Sequence, residues 1–152
     1  DSFLILEKDI KQFKDAGHKI AAFKWSGIYY NDPRIDMDKS KHRAAIGFCF
    51  DPVDKDAANE FLKKFPNYRH YDIPRLTTIS STIPYVSPIS ILFVFHKIHS
   101  QLRDYAQKNN LVQNPPDAQL PLLELYHVHN NHISSIDIHL AYGNNANKLL
   151  LS

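Results

Sequence analysis

Of the three glutamates in the chain, Glu7, Glu60 and Glu124, only Glu124 falls in a stretch that reads as a strand, Leu122 to His129. Strand alternation puts Tyr126 on its face, and a hairpin over Asn130-Asn131 predicts that Asp137 and His139 return to the same side. A desolvated carboxylate attracts cations, and aromatic faces add cation–π attraction. Tyr29 and Tyr30 are the aromatic residues that an earlier strand could bring to such a cleft. The candidate ligand cleft is therefore Tyr29, Tyr30, Glu124, Tyr126 and His139. Hydrolysis on the same set would use the carboxylate as base and a tyrosine to orient water. The simpler reading is a polar strand residue satisfied by His139 or a tyrosine hydroxyl. Bulky Trp25, Phe48, Tyr85 and Phe95 and only four glycines predict a groove that is shallow or filled.

Two further clusters could carry chemistry. His127 and His129 alternate onto one strand face, and His132 should stand opposite His129, a set that could offer zinc three nitrogens. No cysteine or carboxylate is expected beside them, so the reading is an exposed polar tip and no metal. The basic loop Lys39, Lys41, His42 and Arg43 could meet phosphate or an acidic partner. Asp32, Asp36 and Asp38 precede it and nearly neutralise it, so Lys39, Lys41 and Arg43 are candidates for a protein-partner surface. A broad basic face with stacking aromatics, which nucleic-acid binding would need, is not legible. Cys49 sits in an apolar strand (GFCF), where a thiol is usually inert. No nucleophile elbow, zinc-protease motif or phosphate loop occurs, and the chain is expected to be no enzyme and to need no cofactor.

The elements that must position these residues are organised around Ser87 to Asn110. Ser87 and Pro88 suit a helix start, and Ile91, Phe95, Ile98, Leu102 and Tyr105 recur at spacings of four and three. His99, Arg103 and Lys108 fall off that face. A first helix is predicted over Ser2 to Ala16, stopped at Gly17. Strands are predicted over 18–30 and Ala44 to Phe50, and a helix from an Asp54 cap to Phe65. Further strands are predicted over Tyr68 to Ile73, Leu76 to Ile83, Leu122 to His129 and His132 to Tyr142. Helix, strand, strand recurs in each half, an internal pseudo-repeat whose halves are each too small to close a core. The fold class is α+β, a sheet covered by helices on one face.

At 152 residues, 43% hydrophobic and with net charge +2, the chain suits one globular domain over 1–142, with 143–152 a frayed tail. Mild charge names no acidic partner, and no apolar run approaches a membrane span. Phe3-x-x-Leu6 and Trp25-x-x-Ile28 mimic a short aromatic-x-x-aliphatic docking motif. Their apolar residues fall on a helix face and in a strand, so they read as core.

On these residues the chain resembles the GyrI-like domain family, of the SHS2 type. The likeness rests on Gly27-Ile28-Tyr29-Tyr30-Asn31-Asp32-Pro33, Lys41-His42-Arg43-Ala44-Ala45-Ile46-Gly47, Thr82-Ile83-Pro84-Tyr85, Leu123-Glu124-Leu125-Tyr126 and Ile138-His139. It runs from about Lys19 to Tyr142. The Lys-x-Arg-x-Ala-x-Gly and Ile-Pro-Tyr stretches are similar to the branch of endoplasmic-reticulum-membrane receptors for selective autophagy. The resemblance implies a pseudo-twofold antiparallel sheet with two principal helices on one face. It also implies a non-catalytic, cytosol-facing adaptor with a membrane anchor, a further strand before the first helix and a disordered tail that binds autophagy ubiquitin-like proteins. Neither the anchor, that strand nor the tail motif is in this sequence. An AAA-class segregase is the other partner it implies. A small-molecule-binding module on the Glu124 cleft is the competing expectation.

Overall fold

The computed structural model describes residues 2–20, 23–30, 43–111, 120–129, 132–143 and 146–149. Apolar alternation in the second half produces a long hairpin, and a shorter pair of strands from the first half lies beside it. Strands β1 (Phe23–Tyr29), β2 (Ala44–Phe50), β3 (Thr77–Pro84), β4 (Leu122–His129) and β5 (His132–Tyr142) form one antiparallel sheet in the order β2-β1-β4-β5-β3. The two hairpins meet through their first strands, β1 against β4. The class is thus α+β around a five-stranded antiparallel sheet.

Register decides which residues share a face. Trp25, Gly27 and Tyr29 oppose Tyr126, Glu124 and Leu122, which in turn oppose Ile136, Ile138 and Leu140. Phe48 beside Trp25, and Ile79 and Ile83 beside Leu140 and Ile136, extend the same face to the sheet's edges. Helix α1 (Ser2–Asp15) and helix α2 (Lys55–Lys64) cover its β2 end. There Phe61 packs edge-on to Phe13 at 5.3 Å and to Phe48 at 4.9 Å. Ile10 of α1 completes that cluster, and Gly17, at φ 90°, ends the helix as its missing Cβ allows.

The rest of the face is covered by one helical rod: α3 (Pro88–Phe93), a π turn (Val94–Ile98) and α4 (His99–Lys108). Pro88 stands in the first turn, and Ser90 Oγ accepts from the Val86 N–H at 3.0 Å. The buried face is Val94, Ile98, His99, Leu102 and Ala106, with Ile91 at its margin. Tyr105, expected inside, is 53% exposed, while His99, expected outside, is buried. Ile98 and Leu102 keep the face expected of them; His99, four residues after Phe95, joins it, and Ala106, four after Leu102, takes the place expected of Tyr105.

Three other expectations are corrected. Tyr68 to Ile73 is not a strand; Tyr68 instead packs on Phe61 and donates to Asp9 Oδ2 at 2.7 Å. Residues 18–20 are not strand either, and His18 stacks on Phe13 at 4.1 Å. The carboxylate that caps the approach to α2 is Asp51, accepting from Val53 N–H at 3.2 Å, rather than Asp54.

The opposite face of the sheet is covered at one end by residues expected to fray. Ala146–Leu149 form a turn of 3-10 helix, and Ala146 and Leu149 are buried with Ile28, Tyr30, Leu123 and Ala141. Leu6 and Ile28 are buried and Trp25 packs against the core, so these parts of the apparent docking motifs serve the interior. Among the described residues no helix is long and apolar enough to cross a membrane.

The buried seam has a direct test in urea unfolding. Ala106→Leu should overpack the seam and cost about 1–3 kcal/mol, whereas Tyr105→Asp should stay within about 0.5 kcal/mol of wild type. The reverse ranking would place the buried seam wrongly.

Candidate functional site

Glu124 stands in the middle of β4 on the helix-covered face and is 1% exposed. Its partners come from three elements. The rod lays His99 over it, with Nε2 2.6 Å from Oε1. Two residues along β4, the Tyr126 hydroxyl donates to Oε2. From β1, the Tyr29 hydroxyl bonds to the same tyrosine–glutamate pair. Phe95 closes the group, edge-on to Tyr29 at 5.9 Å and 5.2 Å from the His99 ring.

Gly27 makes this geometry possible. It lies directly across from Glu124, and a Cβ there would sit 2.9 Å from Cε2 of the Tyr29 ring. The bare backbone is where that ring lies, which lets a residue two positions along β1 reach inward to the carboxylate.

Burial, then the charge of Glu124, pushes the Tyr126 phenol far above its ordinary range. Burial and the same charge raise Tyr29. Both therefore remain protonated donors at any physiological pH. Each carboxylate oxygen thus has a donor, the condition under which a charge is tolerated in an interior. Chemically the group can hold protons in fixed positions. With Glu124, Tyr126 and His99 each no more than 3% exposed, it offers a solute no open path to the carboxylate.

Of the cleft candidates, Tyr29, Glu124 and Tyr126 come together, and Tyr30 and His139 do not. Glu124 pairs with Ile138, and His139 pairs with Leu123, so Asp137 and His139 belong to the opposite face. The cause is a bulge. His129 pairs with His132 and Val128 with Ile133, but His127 pairs with Ser135, which leaves Ser134 as an extra residue in β5. One extra residue reverses the facing of the rest of the strand. Tyr30 is buried against Leu149's side of the sheet, with the Arg43 guanidinium 5.5 Å above its ring. Lys39, Lys41 and His42 lie outside the described residues.

At the hairpin tip His129 stands across from His132 as expected, both exposed, while His127 is engaged elsewhere. His127 Nε2 is 2.5 Å from Asp137 Oδ2, and Thr82 donates to Oδ1 of the same carboxylate at 2.7 Å. A carboxylate therefore does stand beside His127, contrary to expectation. Burial would raise Asp137, but the bonds from His127 and Thr82 outweigh it and hold the carboxyl below the usual range. His139, half-buried, is lowered by desolvation. Among the described residues no three His, Cys, Asp or Glu side chains are grouped to hold a metal ion. Burial raises the Cys49 thiol, against a smaller opposing effect from Ser26.

Sequence reasoning missed His99 and Gly27. Both left a signal: Phe95, His99, Leu102 and Ala106 are spaced four, three and four, and a glycine inside a strand marks close approach.

The network should be visible in alkali. Unfolded tyrosine ionises near pH 10, whereas folded Tyr29 and Tyr126 are held above that. Above about pH 10 the unfolded chain therefore binds fewer protons, and stability should fall as pH rises. Phenolate absorbance should show these two tyrosines ionising only as the fold is lost. Tyr126→Phe should weaken that pH dependence and cost about 1–3 kcal/mol at neutral pH, the scale of an unsatisfied buried group. Early, full titration of all eight tyrosines in the folded chain would contradict the geometry.

His99→Ala should be more damaging, roughly 3–5 kcal/mol, because it leaves a buried carboxylate short of a partner. A midpoint in urea close to wild type would mean that Glu124 is reached by water.

Comparisons with family models, with curated proteins and with solved structures return no match for this chain.

Proposed function

We propose that the chain is a non-catalytic adaptor domain of the GyrI-like type, the cytosol-facing part of an endoplasmic-reticulum-membrane receptor for selective autophagy. Its work in this reading is to recruit protein partners, an AAA-class segregase among them. The observation that carries the non-catalytic part is the sealed Glu124 carboxylate. The Glu124 constellation, whose residue types suit acid–base work or cation capture, has its bonds satisfied by His99, Tyr126 and Tyr29 beneath a packed helix. The pairing of two helix-and-hairpin units through β1 and β4 is consistent with a pseudo-twofold GyrI-like sheet. The receptor assignment rests on the residues of the resemblance.

A small-molecule-binding module is the second reading. A carboxylate flanked by two phenols is the right chemistry for a cationic aromatic ligand, and movement of the rod that withdrew His99 would uncover it.

A pair of measurements separates the two. Calorimetric titration of the chain into purified AAA-class segregase hexamer should give saturable binding that Glu124→Gln leaves unchanged. A thermal-shift screen of cationic aromatic compounds should give no rise in Tm, since a ligand preferring the folded state must raise it. A rise that disappears in Glu124→Gln, with no segregase binding, would replace the adaptor by the ligand-binding module.

A further inference from the structure

The first turns of the rod are apolar on both sides. Ile91, Val94, Phe95 and Ile98 turn toward the sheet, while Ile89, Leu92, Phe93 and His96, spaced three, one and three, form the opposite stripe. Ile89 is 72% exposed, Leu92 58% and Phe93 44%, and Val86, just before the helix, is 83% exposed. The outer face of a surface helix is ordinarily polar, and a helix apolar all round is ordinarily buried all round. Here only half of it is.

Lys97 flanks this stripe with a positive charge. It holds its ammonium 5.2 Å from the centre of the Phe93 ring, and His96 is exposed beside it. From Ile73 to Arg103 the chain contains no aspartate or glutamate. We propose that this apolar, cation-flanked end of the rod docks on an anionic lipid bilayer. Val86, Ile89, Leu92 and Phe93 enter the boundary between headgroups and acyl chains, and Lys97 reaches back along its stem to the phosphates.

A bilayer fits better than the other occupants. The stripe is the convex outer side of a helix and needs no groove on its partner, which a lipid interface accommodates at any orientation of the surrounding surface. A second copy apposed through the same stripe would bring Lys97 toward its own like, with no acid on this stretch to pair it. An anionic surface supplies the missing counter-charge, at a gain that is felt near the surface and falls with salt. The inference goes beyond the adaptor reading and stands whether or not that reading holds.

Co-sedimentation with vesicles of phosphatidylcholine, with and without phosphatidylserine, tests it. The wild-type chain should bind the phosphatidylserine vesicles more strongly and release as salt is raised. Ile89→Ser combined with Leu92→Ser should lower the partition roughly tenfold or more, with Tm close to wild type because both side chains are more than half exposed. Val86→Asp, outside the helix and so without effect on its folding, should act in the same direction. Lys97→Glu should remove most of the preference for phosphatidylserine. The proposal is overturned if wild type ignores both vesicle types, or if the variants bind as wild type does. It is equally overturned if the stripe instead drives a concentration-dependent dimer, or binds an acidic amphipathic helix, while vesicles are ignored.

Discussion

The Glu124 carboxylate is the point at which sheet and rod are tied to one another. A charge at 1% exposure is costly in free energy unless its lone pairs are met. They are met only when β1, β4 and the rod are all in place, because Tyr29, Tyr126 and His99 come one from each. Sliding the rod by one residue would bring Ile98 or Ser100 where the imidazole stands and strand one carboxylate oxygen. Apolar packing alone tolerates such slips, since one aliphatic side chain replaces another at small cost. A single buried acid thus adds what Val94, Leu102 and Ala106 lack, a reason to prefer one alignment over its neighbours.

Two local irregularities border that alignment. The π turn lies immediately before His99, which shares the seam with Leu102 and Ala106. The bulge at Ser134 sets Ile138, rather than a charged neighbour, across from Glu124. It sends Asp137 to the other face, where His127 and Thr82 satisfy it. Each acid is therefore paired within its own face of the sheet, and the interior never holds two carboxylates together.

The faces then divide the work. The helix-covered side contains the polar group with the greatest chemical capacity and closes it off. Among the described residues, the exposed stripe from Val86 to Phe93 and the polar positions of the far face beyond the reach of Leu149 remain accessible.

Much of the fold was legible in the sequence. Ala44 to Phe50, the β4–β5 hairpin, the caps at Ser87-Pro88 and Gly17, and the existence of the rod arise from local patterns: alternation, turn residues, helix starts and stops. The association of Tyr29, Glu124 and Tyr126 was legible too, because period-two facing within β4 and the expected pairing of the two halves require only short-range rules. Three things were decided in three dimensions. The bulge adds a single residue to β5, too little to disturb a hydrophobic pattern, yet it reverses the facing of every residue beyond it, and so His139 left the site. Tyr68 to Ile73 carries strand-forming residues, but Tyr68 is drawn into the aromatic cluster around Phe61, and packing overrides propensity there. Ala146 to Leu149 looks like a frayed end until Ile28, Leu123 and Ala141 present an uncovered apolar patch for it. In each case the deciding partner is distant in sequence, and no local pattern carries its identity.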